Sequence, residues 1–159
     1  MINAIYPGTF DPITMGHLDI IERSCKLFDK IYVTVAVNQI KSTVFTLDER
    51  LDMIRKSTEA LSQVEVSYTS GLIVDYAIKK GATALIRGLR FVSDFEIEFQ
   101  MSWMNRHLNE EIITVFVMPH GRYTHLNSTV IREVAQLGGD IEKFVPPIVL
   151  EKLKEKFQN

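Results

Sequence analysis

The sequence of 159 residues lacks the features that mark several classes of protein. Its single cysteine, Cys25, excludes an intramolecular disulfide, and its helical spacing with Ile21 and Phe28 predicts a buried apolar side chain. No apolar run is long enough for a membrane span, and the first residues do not form a basic segment followed by an apolar stretch. These absences predict a cytoplasmic protein that does not enter a membrane.

The chain also lacks an excess of charge of either sign. Its 18 lysines and arginines nearly balance its 20 aspartates and glutamates, for a formal net charge of -2. Such a balance gives no general attraction to nucleic acid or to a membrane surface, so neither is an expected partner. Any anion-binding site must therefore be a local cluster. The length predicts one domain, residues 1–159, with a core large enough to fold alone.

Segments rich in β-branched residues alternate with segments of helical period. Thr46 and Glu49 have the spacing of a capping box, and Gly81 is placed to end a helix. The alternation predicts an α/β fold, a doubly wound parallel sheet of five strands with helices on both faces. In such sheets, ligands bind beyond the carboxyl ends of the strands. The predicted strands lie near residues 4–6, 31–37, 64–68, 82–88 and 112–118, and the predicted helices near 17–28, 46–61, 72–80, 94–108, 128–139 and 146–157.

The loop after the first strand, "PGTFDPITMGH" (residues 7–17), has the composition of a phosphate site. Gly8 lets a ligand approach the backbone closely, and Thr9 offers a hydroxyl beside it. Gly16 and His17 open a helix, whose first N–H groups and dipole suit an anion. His17 can donate a hydrogen bond to the same anion. Taken alone, the "TxGH" string is equally compatible with an ordinary loop that carries a surface histidine.

Two further loops carry cations at the ends of predicted strands. Lys41 follows the second strand in "NQIKSTVF", while Arg87 and Arg90 follow the fourth in "LIRGLR". Guanidinium groups bind phosphate oxygens as a fork, and lysine is a compact point charge. Taken alone, Lys41 is better explained as a solvated surface lysine. For either arginine, the alternative is an ion pair with an acidic residue of the next predicted helix, which is Asp94, Glu96 or Glu98. Considered with the three other loops, the two arginines favour an anion site.

The last loop places Asn127, Ser128 and Thr129 before a helical period. Such residues are first of all helix caps, and the same groups can bind phosphate oxygens. His120 and His125 lack the spacing of a zinc site. The chain has no P-loop, "GxGxxG" or "GxSxG" string. Cations and N–H donors without a covalent catalyst fit phosphoryl or nucleotidyl transfer.

These stretches resemble a known family. "YPGTFDPITMGH" is similar to the first motif of the nucleotidyltransferase superfamily with the (H/T)xGH signature, and most similar to the bacterial phosphopantetheine adenylyltransferases. "FTLDER", "LIRGLRFVSDFEIEFQMSWMNRHL" and the "ST" helix start match the same family in order and spacing. The resemblance implies a Rossmann-like fold and transfer of the ATP adenylyl group to 4′-phosphopantetheine, with Mg²⁺. It also implies a cytoplasmic homohexamer that coenzyme A inhibits.

The resemblance further implies roles for individual residues. His17, Lys41 and Arg90 would be catalytic in an in-line attack without a covalent intermediate, and the substrate phosphates would hold most of the Mg²⁺. The implied ATP-binding residues are Gly8, Thr9, Phe10, His17, Gly88, Arg90, Glu98, Tyr123, Thr124, His125, Asn127, Ser128 and Thr129. The implied residues for phosphopantetheine are Thr9, Lys41, Leu72, Ile73, Arg87 and Asn105.

Three features of the chain depart from the family pattern. Asn127 replaces a frequent serine, Ile97 replaces a frequent aromatic residue, and the loop of Lys41 lacks a frequent proline and second lysine. One alternative is another nucleotidyltransferase of the superfamily, acting with CTP or nicotinamide mononucleotide. A second alternative is a catalytically silent nucleotide-binding module, against which the presence of His17, Lys41 and Arg90 together argues.

Overall fold

The computed structural model describes residues 1–37, 40 and 42–158. The predicted catalytic residue Lys41 lies outside this part of the chain. The strands are β1 (Asn3–Gly8), β2 (Lys30–Ala36), β3 (Val64–Thr69), β4 (Ala84–Gly88) and β5 (Ile113–Val117). The α-helices are α1 (Met15–Ser24), α2 (Leu47–Thr58), α3 (Ile73–Lys79), α4 (Val92–Leu108), α5 (Ser128–Gln136) and α6 (Pro147–Phe157).

The five strands form one parallel sheet in the order β3-β2-β1-β4-β5. This arrangement confirms the predicted doubly wound α/β fold. The chain builds outward from β1 to β3, then crosses to the other side of β1 to start β4. The strand order therefore reverses between β1 and β4, and the carboxyl ends of these two strands flank the position where such sheets bind ligands.

Alternating side chains of the strands divide the core between the two faces of the sheet. In β1, Ala4 and Tyr6 join the larger buried cluster, whereas Ile5 joins the smaller one. The larger cluster includes buried residues of α1, α2, α5 and α6, and the smaller one includes Val74 and Ala77 of α3. Helices thus cover both faces, which explains why the central strands consist of nearly continuous apolar residues.

The helix ends follow local chemistry, although α1, α2 and α5 end three or four residues before their predicted bounds. The Thr46 hydroxyl accepts the N–H of Glu49 at 3.2 Å, and the Glu49 carboxylate accepts the N–H of Thr46 at 2.7 Å, which confirms the capping box. Gly81 ends the third helix with a φ of +60°, as predicted. The first helix is shorter than predicted, because it ends at Ser24 and Cys25 is its C-cap. Cys25 is only partly buried, and this burial raises the pKa of its thiol.

The longest helix, α4, leaves most of its apolar side chains exposed. Asn105 is its one buried residue. Within the described residues, no helix is both long enough and apolar enough to cross a membrane. The exposed surface of α4 therefore raises the question of what covers it. Its large exposed side chains are Val92, Phe95, Ile97, Phe99, Met101, Trp103, Met104 and Leu108.

Candidate active site

Phe10, in the loop between β1 and α1, has a positive φ of 48°, and its side chain is buried. Its ring lies 5.4 Å from the ring of Tyr6 and 5.1 Å from that of His17, both edge to face. A left-handed conformation at such a residue costs about 1 kcal/mol or more. The packing of the ring offsets this cost, because it forms an aromatic wall against the imidazole of His17.

Two glycines near this wall make room for neighbouring side chains. A Cβ on Gly8 would lie 2.9 Å from the ring of Phe10, and a Cβ on Gly88 would lie 2.6 Å from Cδ1 of Ile20. Close approach of a phosphate was the reason predicted for Gly8. The structure adds a second reason, the position of the Phe10 ring. Gly16 lies within the first turn of α1, with ordinary contact distances around its missing Cβ.

Asp11 joins three segments at the carboxyl edge of the sheet. Its buried carboxylate accepts the N–H of Val44 at 3.0 Å and that of Phe45 at 2.9 Å. It also lies 3.5 Å from the guanidinium of Arg132 in α5, which donates to the backbone carbonyl of Asp11 as well. The sequence indicated only a turn at the Asp-Pro step. These long-range partners make Asp11 the link between the first loop, the loop after β2 and α5.

Arg50 of α2 forms a hydrogen bond to the backbone of the same loop. It is 5% exposed, and its guanidinium donates to the carbonyl oxygen of Thr9 at 2.9 Å. Burial lowers the pKa of Arg50, and the negative charge of Asp11 opposes this effect. Arg50 belongs to the "FTLDER" stretch, but its charge gave no sign of this structural role. It holds the backbone at Thr9, one of the predicted phosphate-binding residues.

His17 is bonded to Thr14, the N-cap of α1. Its Nδ1 accepts a hydrogen bond from the backbone N–H of Thr14 at 3.0 Å. The backbone N–H of His17 donates to the Thr14 hydroxyl at 3.4 Å. Burial, and then the positive charge of Arg90, lower the pKa of His17 from 6.5 to about 4. His17 is therefore uncharged at neutral pH.

The two arginines after β4 both have carboxylate partners in α4. Arg87 forms a bidentate ion pair with Glu98, at 2.6 Å for each hydrogen bond, and Arg90 lies 3.4 Å from Asp94. Burial opposes the charged form of Arg87, but Glu98 outweighs it and raises the pKa of the guanidinium. Ion pairing with the next helix was the alternative to an anion site for these arginines. The structure shows that pairing, and it also places both arginines at the edge of a cleft.

The start of α5 is capped by Asn127, as its residue type predicts. The side-chain oxygen of Asn127 accepts the N–H of Val130 at 2.8 Å, which leaves the amide nitrogen as the part that can donate to an anion. The hydroxyl of Ser128 donates to the carbonyl of Pro12 at 2.8 Å. This bond brings the start of α5 against the first loop, although 116 residues separate the two positions.

Two cavities meet at His17. The first, of about 200 Å³, lies at the carboxyl ends of β1 and β4, and the second, of about 510 Å³, lies beside it. His17, Phe10 and Ser128 line both, so the imidazole stands at their boundary. The other predicted site residues in the first cavity are Gly8, Arg87, Gly88, Arg90, Tyr123 and Asn127. The second cavity adds Thr9 and Thr129, together with residues that were not predicted, Asp11, Ser42, Thr43 and Arg132.

The remaining predicted residues do not line either cavity within the described part of the chain. Glu98 reaches the cleft only through its ion pair with Arg87. Exposed His125 packs edge to face on Phe144, with ring centroids 5.5 Å apart. Asn105 is buried within α4. Their predicted roles stay predictions, as do those of Leu72, Ile73 and Thr124.

Comparisons with known proteins agree with this architecture. The family model described as cytidylyltransferase-like matches residues 5–134. A phosphopantetheine adenylyltransferase of Heliobacterium modesticaldum is 49% identical over 157 residues, covering 99% of this chain and 94% of its own. One from Caldanaerobacter subterraneus subsp. tengcongensis is 49% identical over 155 residues, covering 98% and 97%.

A solved structure gives a more distant match. It is a Vibrio parahaemolyticus protein provisionally described as a nicotinate-nucleotide adenylyltransferase. The TM-score is 0.71 at 21% identity, over 98% of this chain and 93% of that one. At this identity the match concerns the fold alone.

Proposed function

Because the chain belongs to the cytidylyltransferase-like family, and within it to the phosphopantetheine adenylyltransferases, we propose that it transfers the adenylyl group of ATP to 4′-phosphopantetheine. The products are dephospho-coenzyme A and pyrophosphate, and the reaction is the penultimate step of coenzyme A biosynthesis. We also propose that the enzyme is cytoplasmic.

The observation that carries this proposal is the position of His17 between two cavities lined by cations and hydroxyls. ATP has adenosine on one side of its α-phosphate and two phosphates on the other. A donor at the boundary of two cavities suits that α-phosphate, while Arg90 in the first cavity and Arg132 in the second suit oxygens on either side. This arrangement supports nucleotidyl transfer, and the relatives support phosphopantetheine as the acceptor.

We propose an in-line attack by the acceptor phosphate on the α-phosphorus. A phosphate monoester loses its second proton at a pH of about 6, so at neutral pH it needs no general base. The enzyme must instead bring two anions together. Arg87 and Arg90 share their charge with Glu98 and Asp94, so they neutralise less than two unpaired guanidiniums would. The proposal therefore gives a large part of this task to Lys41.

Mg²⁺ fits this site as an ion held by the substrate. Among the described residues at the cleft, the carboxylates have other partners: Asp11 binds backbone N–H groups and Arg132, and Glu98 and Asp94 pair with arginines. Mg²⁺ commonly keeps its waters and binds phosphate oxygens. We therefore propose that ATP brings the ion, which neutralises part of the phosphate charge.

We also propose a homohexamer, as the resemblance implies. The supporting observation is the row of exposed apolar side chains on α4, a surface that soluble monomers rarely carry. Sedimentation equilibrium of the native protein is expected to give six times the mass of the 18.2 kDa chain. Replacing exposed Phe99 and Trp103 of α4 by serine is expected to shift it to smaller species. A native protein that sediments as a monomer contradicts the proposal.

The function is tested by mixing the protein with ATP, Mg²⁺ and 4′-phosphopantetheine and measuring dephospho-coenzyme A by mass spectrometry. Product is expected with ATP and Mg²⁺, less without Mg²⁺, and less again when coenzyme A is added as an inhibitor. In parallel reactions, CTP replaces ATP as the donor, or nicotinamide or nicotinate mononucleotide replaces phosphopantetheine as the acceptor. Turnover only with one of those acceptors overturns the proposed substrate, and ATP binding without turnover on any acceptor overturns the enzyme assignment.

A further inference from the structure

The first turn of α1 contains a capping box with an unusual partner. In the common form, a Ser or Thr N-cap is followed three residues later by Glu or Gln, whose side chain accepts the N–H of the cap residue. In α1 the third position is His17. The Thr14 N–H donates to Nδ1 of His17 at 3.0 Å, and the Thr14 hydroxyl lies 3.0 Å from the same nitrogen. The side chain that faces the two cavities is thus also part of a helix cap.

This box selects one form of the imidazole. A backbone N–H can only donate, so Nδ1 must carry a lone pair rather than a proton. The neutral ring then has its proton on Nε2. Both the other tautomer and the imidazolium would place a second proton against the Thr14 N–H. The hydroxyl of Thr14 also accepts the N–H of His17, which fixes the backbone from which the ring projects.

The surroundings of the ring favour the same form. The rings of Phe10 and Tyr6 lie 5.1 and 6.5 Å from that of His17, and they cover part of it. Arg90 opposes a positive charge on His17. Asp11 is the one carboxylate among the described residues that line the two cavities, and its oxygens are bound to Val44, Phe45 and Arg132. The titratable and charged residues that line the two cavities together with His17 are Tyr6, Asp11, Arg87, Arg90, Tyr123 and Arg132.

We propose that Thr14 is a positioning residue for the reaction: its N–H and hydroxyl hold Nδ1 of His17 as an acceptor, so the ring offers Nε2–H to the α-phosphate as an uncharged donor. This inference rests on the proposed function. It assigns the positive charge of the site to the arginines and Lys41, and it assigns to His17 a directed hydrogen bond. The donor is then present over the whole pH range in which the acceptor phosphate is deprotonated.

The tautomer and the protonation state of the His17 ring are measured by ¹⁵N NMR of histidine-labelled protein. Substrates are left out, because the acceptor phosphate itself titrates near the relevant pH. The chain has four histidines, so the His17→Gln variant identifies the signals of His17. At pH 7 the native signals are expected to show a protonated Nε2 and an unprotonated Nδ1. Lowering the pH is expected to protonate the ring near pH 4 rather than near 6.5.

Thr14→Val tests the role of the hydroxyl at nearly constant shape, since Thr14 is 1% exposed. The variant keeps the backbone N–H of residue 14 but loses the hydroxyl at Nδ1, so its ring signals are expected to show a minor share of the second tautomer and a raised His17 pKa. Its turnover number is expected to fall about 10-fold, because the ring loses a contact that orients it. Thr14→Ser, which keeps the hydroxyl, is expected to restore both the ring signals and most of the turnover.

Thr46→Val is the matched control, because Thr46 caps α2 through the same type of box with Glu49. Loss of either cap is expected to lower Tm by about 2–4 °C. Only the Thr14 variant is expected to change the signals of His17 and the turnover number. The His17→Gln variant is expected to keep the cap, since Gln is a common partner in such boxes, and to lose turnover.

The protonation state also predicts an acid dependence of stability. Between pH 6.5 and about 4 the unfolded chain binds a proton at His17 that the native chain does not. The native state therefore loses stability as the pH falls through this window. His17→Gln is expected to reduce that loss.

Three results overturn the inference. The first is a native His17 that is protonated at Nδ1, or charged, at pH 7. The second is a Thr14→Val variant with native ring signals and native turnover. The third is equal loss of turnover in the Thr14→Val and Thr46→Val variants, which would indicate a cap with a structural role only. If the native ring signals are as expected but no dephospho-coenzyme A forms, the proposed function fails and the catalytic part of this inference fails with it, whereas the hydrogen bonds between Thr14 and the ring stand.

Discussion

Replacing His17 by alanine is expected to lower the turnover number by about 10³-fold, the order of effect seen when a donor to a developing oxyanion is removed. His17 lies at the boundary of the two cavities, where the α-phosphate is proposed to bind. Negative charge on its oxygens grows as the bond to the acceptor forms, so the Nε2–H contact is strongest in the transition state. The KM values for ATP and phosphopantetheine should change much less.

The measurement is the steady-state rate at saturating concentrations of both substrates, with folding checked by Tm. His107→Ala is the control, because His107 lies exposed on α4 and does not line either cavity. It is expected to keep native turnover. A His17→Ala variant that keeps native turnover and shows only raised KM values would assign His17 to ground-state binding, contrary to this mechanism.

Replacing Lys41 by alanine is expected to lower the turnover number by about 10²-fold or more, because its charge opposes the repulsion between acceptor and donor phosphates as they approach. Lys41 itself lies outside the described residues. In the segment that follows it, the backbone N–H groups of Val44 and Phe45 donate hydrogen bonds to the carboxylate of Asp11. That attachment ties the segment after Lys41 to the loop that carries Thr9 and His17.

Single-turnover experiments with saturating ATP and varied phosphopantetheine separate the chemical step from binding. Lys41→Arg keeps the charge and is expected to retain more of the rate than Lys41→Ala. Lys56→Ala is the control, since Lys56 forms an exposed ion pair with Asp52 on α2. Such a pair contributes about 0–1 kcal/mol to stability, so neither turnover nor Tm should change greatly. An unchanged turnover number with only a raised KM for phosphopantetheine would contradict the proposed role of Lys41.

Local signals in the sequence predicted the fold well. The alternation of strand and helix segments indicated the parallel sheet, and Thr46 with Glu49 marked the start of α2. These features depend on residues close together in the chain, where spacing alone determines which groups can meet. The helices α2 and α5 end three residues before their predicted bounds, and α1 ends four residues before its own. Its apolar spacing continues to Phe28, but the helix ends at Ser24, and Phe28 is buried from the turn that follows.

Several parts of the site had no local signal. Asp11 read as a turn residue, although its carboxylate binds backbone groups more than 30 positions away. No spacing in the sequence marks Arg50 and Arg132 as donors to backbone carbonyls of the first loop. The capping box of Thr14 and His17 was not predicted, because histidine is not the usual partner at the third position.

The sequence by itself determined the order of strands and helices, the family, and the residue types gathered in the loops at the carboxyl edge of the sheet. Only the tertiary structure decided which partner each residue meets. It paired Arg87 with Glu98, and it set Nδ1 of His17 against the Thr14 N–H. In "YPGTFDPITMGH" the side chains and their spacing are fixed by covalent order, whereas charge sharing and protonation depend on distances of 3 Å or so between atoms brought together by folding.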